Sequence, residues 1–151
     1  MFVPFEYLEQ QMLLAGQDHT VSGNFSGPLY GATVGLFTNN HTPAAGDDLA
    51  AYNLAVPASL APANATFGTP YRHPEGGICV QSAQQEFQLT GNEPITLCYG
   101  AVLLNAAGNV ALGAELFPGG PIQLTDDLSA IIFSLQYAQG GPDSGNMILV
   151  S

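Results

Sequence analysis

Three histidines, two cysteines and a few acidic clusters are the residues from which this 151-residue chain can build a reactive or metal-binding centre. His19, His41 and His73 all lie in loop-forming sequence, and none has a His or Cys at metal-ligand spacing. Cys79 and Cys98 stand alone as thiols. Oxidised together they would close a loop of about 20 residues, worth roughly 3 kcal/mol in the chain-entropy model. Reduced, they serve as small core residues, and cytosolic synthesis makes that the default. Asp47-Asp48 and Asp126-Asp127 are adjacent pairs. Neighbours on a strand point to opposite faces, so neither pair is a ready catalytic dyad. Together with Asp143 they are at most loop ligands for a calcium ion, and none matches the EF-hand spacing. Ser22, Ser26 and Ser59 lack the G-x-S-x-G elbow of a hydrolase. FPGGP (117–121) lacks the Lys and following helix of a phosphate loop. The residues imply no catalytic group and no cofactor.

The background on which these residues sit is unusual. Charged residues are 9% of the chain, against roughly 25% in ordinary soluble domains. Their place is taken by 18 Gly, 11 Pro and many Ala, Asn, Gln, Ser and Thr, so the exterior is neutral, small and easily dehydrated. Such an exterior suits a chain that meets partner surfaces. The net charge is -11 and Arg72 is the one Lys or Arg. Displacing counterions from phosphates needs many cations, so a nucleic-acid partner is excluded, and an anionic membrane is disfavoured for the same reason. No apolar run approaches the roughly 18 residues that span a bilayer. The start, MFVPFEYLEQQMLLAG, lacks the cationic region of a secretory signal.

The elements that must position these residues are mostly strands. Residues 4–15 read as the one helix: Pro4 suits its first position, Glu6 and Glu9 its positive end, and Gly16 its stop. Phe5, Leu8, Met12 and Leu13 share one helical face. That stripe either covers the domain's own core or docks on a neighbouring subunit. After a loop, LYGATVGLFTNN (29–40) alternates as a strand, with Tyr30, Val34 and Leu36 toward the core. Residues 44–66 form a long Ala- and Pro-rich connection, in which Asp47 is placed to N-cap a short helix over Leu49 to Leu54. A short edge strand is expected near 67–72. From residue 78 the chain reads as strands at 78–83, 86–90, 95–105, 110–117, 122–125, 128–137 and 147–151, separated by Gly-, Asn- and Pro-rich turns. In 128–137, Ile131, Phe133, Leu135 and Tyr137 form one face. Short strands at this spacing define an all-β fold, an antiparallel β-sandwich or jelly-roll-like barrel with a short N-terminal helix. The organisation expected is a helical arm over 1–16 and a single domain over 17–151.

The most apolar stretch is CYGAVLLNAAGNVALGAELF (98–117), a hairpin with one carboxylate and no base. Its composition fits packing rather than chemistry. One face fills the sandwich, while the other, rich in Ala, Gly and Asn, permits close approach of another layer or another subunit.

The order PFEYLEQQML, LYGATVGLFTNNHTPAAGDDLAAY and ITLCYGAVLLNAAGNVALGAELFPGGPIQL resembles a group of small β-rich virion proteins of tailed phages. The resemblance covers most of residues 4–137, with residues 138–151 as an additional strand. It implies a structural role in the virion, as a capsid decoration, fibre or tail accessory protein, and no catalytic residue. The partners it implies are copies of the chain itself, as a homo-oligomer, and a major capsid or tail protein, with Phe5, Leu8, Met12 and Leu13 as candidate interface residues. A carbohydrate-binding sandwich module is the alternative expectation, with Tyr52 and Tyr71 as stacking aromatics. A calcium-assisted hydrolase would require Asp126 or Asp127 beside a histidine.

Overall fold

The computed structural model describes residues 3–4, 31–68, 71–72, 78–125, 130–139 and 147–150. The strands are β1 (Val3–Pro4), β2 (Thr33–Phe37), β3 (Ala63–Asn64), β4 (Tyr71–Arg72), β5 (Ile78–Gln81) and β6 (Gln85–Gln88). They continue with β7 (Thr96–Cys98), β8 (Gly100–Leu104), β9 (Ala111–Leu116), β10 (Ile122–Leu124), β11 (Ala130–Gln139) and β12 (Met147–Val150). Every pairing among the described residues is antiparallel. One five-stranded sheet has the order β1-β9-β8-β2-β3, and a second has β12-β11-β5-β4, with β6 also pairing β11. A two-stranded ribbon, β10-β7, completes the set.

The fold is an antiparallel β-sandwich, and no closed barrel forms among the described residues. Its core lies between the two large sheets. Val34 and Leu36 of β2, Leu103 of β8 and Leu112 of β9 meet Phe87 of β6 and Ile131, Phe133 and Leu135 of β11. The Phe87 and Phe133 rings stack with centroids 5.9 Å apart. The alternation that brings Ile131, Phe133 and Leu135 inward leaves Ile132 between them exposed, as a period of two requires. Burying a Leu or Phe contributes about 1.5–3 kcal/mol, so this layer dominates the stability of the fold.

Three sequence expectations need correction. Pro4 is not a helix start but lies in β1, opposite Gly113 on the outer edge of the first sheet. An edge strand tolerates proline because one row of its backbone groups has no strand partner. Residues 5–15 and 16–30, with Phe5, Leu8, Met12, Leu13 and Tyr30, lie outside the described residues. The single strand expected over 95–105 is two, broken at Tyr99. There the chain leaves the ribbon and enters the first sheet. The helix expected over Leu49 to Leu54 is a single 3-10 turn, Leu49–Ala51, and its cap is Asp48, which accepts from the Ala50 amide at 3.0 Å.

Candidate functional site

Asp47 does not cap because its side chain is held elsewhere. Its Oδ2 accepts from His41 Nε2 at 2.7 Å, the Tyr52 hydroxyl at 2.7 Å and the Ala44 amide at 2.9 Å. The His41 and Tyr52 rings meet edge to face at 5.2 Å, and Tyr52 meets Phe37 in the same way at 5.0 Å. Burial alone would raise the Asp47 carboxyl. The bonds from His41, Ala44 and Tyr52 and the charge of His41 outweigh it and hold the group below its ordinary value of 3.8. The Tyr52 phenol is pushed well up, first by burial and then by the carboxylate it donates to.

This cluster is a clasp on the long connection. Asn39 reinforces it, donating to the Ala51 carbonyl at 2.8 Å and accepting from the Asn53 amide at 2.8 Å. The clasped segment delivers Leu49, Ala51, Tyr52 and Leu54 onto Phe37, Val102, Leu104, Ala111 and Ala114. The second face of the apolar hairpin is therefore covered by a layer of its own chain. Further along, Ser59 donates from both its amide and its hydroxyl to the Glu93 carboxylate, tying the connection to the turn before β7.

A different feature arises where the hairpin meets the ribbon. Gly100 pairs with Leu116, whereas Cys98 pairs with Ile122. Residues 117–121 are thus set against Tyr99 alone, a large bulge of sequence FPGGP. The Tyr99 amide donates to the Phe37 carbonyl at 2.8 Å, and its carbonyl accepts from the Phe117 amide at 2.9 Å, so the Tyr99 backbone is fixed. The surplus residues splay outward. Beside them lies an open depression of 470 Å³ lined by Asn40, Tyr99, Leu116, Phe117, Gly120 and Pro121. None of the described lining side chains is charged. The sequence carried a signal for this feature: a Pro/Gly run interrupts one hairpin arm with no matching interruption in the other.

The ribbon itself is amphipathic in an unusual sense. Its inner face buries Thr96, Cys98 and Leu124. Its outer face shows Ile95, 62% exposed, and Leu97, 41% exposed, with Gln123 opposite Leu97. Ile122, at the rim, is 38% exposed. Val56, three residues before Ser59 on the tied connection, is 92% exposed.

The sequence-level candidates fall in different settings. Tyr52, put forward as a stacking aromatic, is buried under the clasp, while Tyr71 is exposed and its hydroxyl accepts from Gln136. Cys98 is a buried free thiol that burial pushes up to about 11. The side chain of Cys79 and residues His19, His73, Asp126, Asp127 and Asp143 lie outside the described residues. Among the described residues no three His, Cys, Asp or Glu side chains gather as a metal site.

What these features define is an antiparallel β-sandwich domain with one clasped face, one bare ribbon face and a neutral depression between them. Comparison with protein-family models, curated proteins and solved structures gives no match.

Proposed function

We propose that the chain is a structural subunit of a virion, a capsid decoration protein that associates with copies of itself and lies on the shell by surface complementarity. The observation that carries this reading is the outer face of the β7-β10 ribbon. Ile95 and Leu97 stand open there without a charge beside them on either strand. Both ribbon strands also have one edge without a strand partner among the described residues. Exposed apolar side chains on a strand with a free edge favour association with another surface. Burial of such a face contributes at about 25 cal/mol per Å² before the costs of association. The resemblance to phage virion proteins supplies the particle. The charge of -11 opposes contact between free subunits, and strands β7 and β10 themselves carry none of it.

Electron cryomicroscopy of the native particle tests this. The expected result is density for the chain in stoichiometric copies at shell symmetry positions, with Ile95 and Leu97 covered. A chain found dispersed and absent from particles contradicts it. Phe5, Leu8, Met12 and Leu13 are the second candidate contact. Leu8→Asp combined with Met12→Asp is expected to weaken assembly more than it lowers the melting temperature, and equal losses would assign the stripe to the core instead.

A further inference from the structure

We propose that the depression between Tyr99 and the FPGGP bulge is a binding site for a neutral saccharide, a role separate from assembly and not dependent on it. The argument begins with the bulge. A strand pair that sets residues 117–121 against one residue departs far from ladder geometry, and bulges recur next to functional sites, where they re-aim side chains or end pairing. Gly119 and Gly120 have φ of 88° and 102°, in the region that favours glycine. A Cβ on either would meet nothing within 4 Å. Their identity is therefore demanded by the outward bend of the backbone and not by packing around them.

The lining then selects the ligand. Tyr99 is half-buried and its hydroxyl has no hydrogen-bond partner among the described residues. The Asn40 carboxamide is exposed and equally unengaged. These two groups offer donors and acceptors beside the apolar surfaces of Leu116 and Pro121. Phe117 is only 6% exposed and its ring packs inward on Phe133, so Tyr99 is the one aromatic ring offered. Among the described residues, no lining side chain carries the cation that would recognise a phosphate or carboxylate, and none carries an anion for a cationic ligand. What matches is a neutral ring with one C–H face to lie on the phenol and hydroxyl groups to bond the amide and the phenol oxygen. A pyranose has that chemistry. The volume of 470 Å³ falls within the range of small-molecule sites, about 300–1,000 Å³. A polyproline segment also favours aromatic grooves, but it seeks several rings in a row and few polar groups. The described lining offers one accessible ring and two free polar side chains.

The test is titration of the full-length, isotope-labelled chain with glucose, galactose, mannose, N-acetylglucosamine and maltose, and separately with a decaproline peptide, followed by amide NMR. The expected result is saturable shifts for at least one sugar at the amides of Asn40, Tyr99, Phe117, Gly119 and Gly120. Tyr99→Ala should weaken that binding by about tenfold. Because Tyr99 also packs against the apolar cluster that includes Phe37 and Val102, Asn40→Ala provides a second variant at an exposed position with no bonds to lose. It should weaken the same sugar several-fold at an unchanged melting temperature. Absence of saturable shifts with every sugar overturns the proposal. So does response to decaproline alone, or sugar binding that both variants leave intact.

Discussion

The hairpin arms β8 and β9 and the ribbon arms β7 and β10 are parts of the same two chain segments, separated by Tyr99 on one side and residues 117–121 on the other. They end in opposite states. Leu104 is 1% exposed and Leu97 is 41% exposed. Both leucines sit on strands whose inner neighbours fill the sandwich. The difference is that the connection after β2 doubles back over the hairpin and is latched there by Asp47, His41 and Tyr52, whereas no described segment crosses the outer face of the ribbon. The apolar face that stays shut here is the one over which a polar latch holds a cover.

The largest expected effect comes from breaking the junction. A Cβ at Gly100 would run into the Glu115 carbonyl and lie 2.7 Å from the Phe37 ring. Neither the backbone oxygen nor the ring can yield without displacing β9 or the clasp. Gly100→Val should therefore destabilise by more than about 4 kcal/mol, read as loss of a cooperative urea transition. Next is the pair of leucines. Leu104→Ala should cost about 2–5 kcal/mol through the cavity it leaves. Leu97→Ala should stay within about 0.5 kcal/mol, as surface changes do. Similar losses at both positions would erase the contrast between the two regions.

The latch predicts a smaller, pH-dependent effect. Tyr52→Phe deletes one donor and should cost about 1 kcal/mol. Asp47 has a lower pKa folded than its ordinary 3.8, so its contribution is fully present above that value and is lost as pH falls through the folded one. In thermal melts the stability of the native chain should fall more steeply below roughly pH 4 than that of Asp47→Asn. Parallel curves for the two proteins would remove the carboxylate from the latch. The smallest effect concerns Cys98. With its thiol buried and pushed up to about 11, it should react with a disulfide reagent at neutral pH only as fast as the domain opens.

Much of this contrast is visible in the residues and some is not. Apart from the break at Tyr99, the described strand positions from residue 78 onward follow from period-two alternation and from Gly, Asn and Pro at the turns, because those signals are local. The face formed by Ile131, Phe133 and Leu135 follows for the same reason. The Asp47 latch does not. Asp47 and Asp48 are equivalent as caps until the chain folds His41 back across the loop, and that depends on tertiary contact. Tyr52 reads as an exposed loop aromatic for the same reason, since only the returning connection buries it. Pro4 misleads because a helix start and an edge strand both tolerate a residue without an N–H. The bulge is half visible: FPGGP is plainly irregular, but only the pairing of Gly100 with Leu116 and of Cys98 with Ile122 shows that it stands opposite Tyr99.

Sedimentation velocity over a wide range of protein concentration, comparing the full-length chain with its Ile95→Ser/Leu97→Ser double variant, tests the role of the bare ribbon most directly. The native chain is expected to sediment as a concentration-dependent oligomer, and the variant as a monomer with an unchanged melting temperature. A native chain that stays monomeric throughout, or a variant that associates as the native chain does, would contradict the reading of this face as a surface built to be covered.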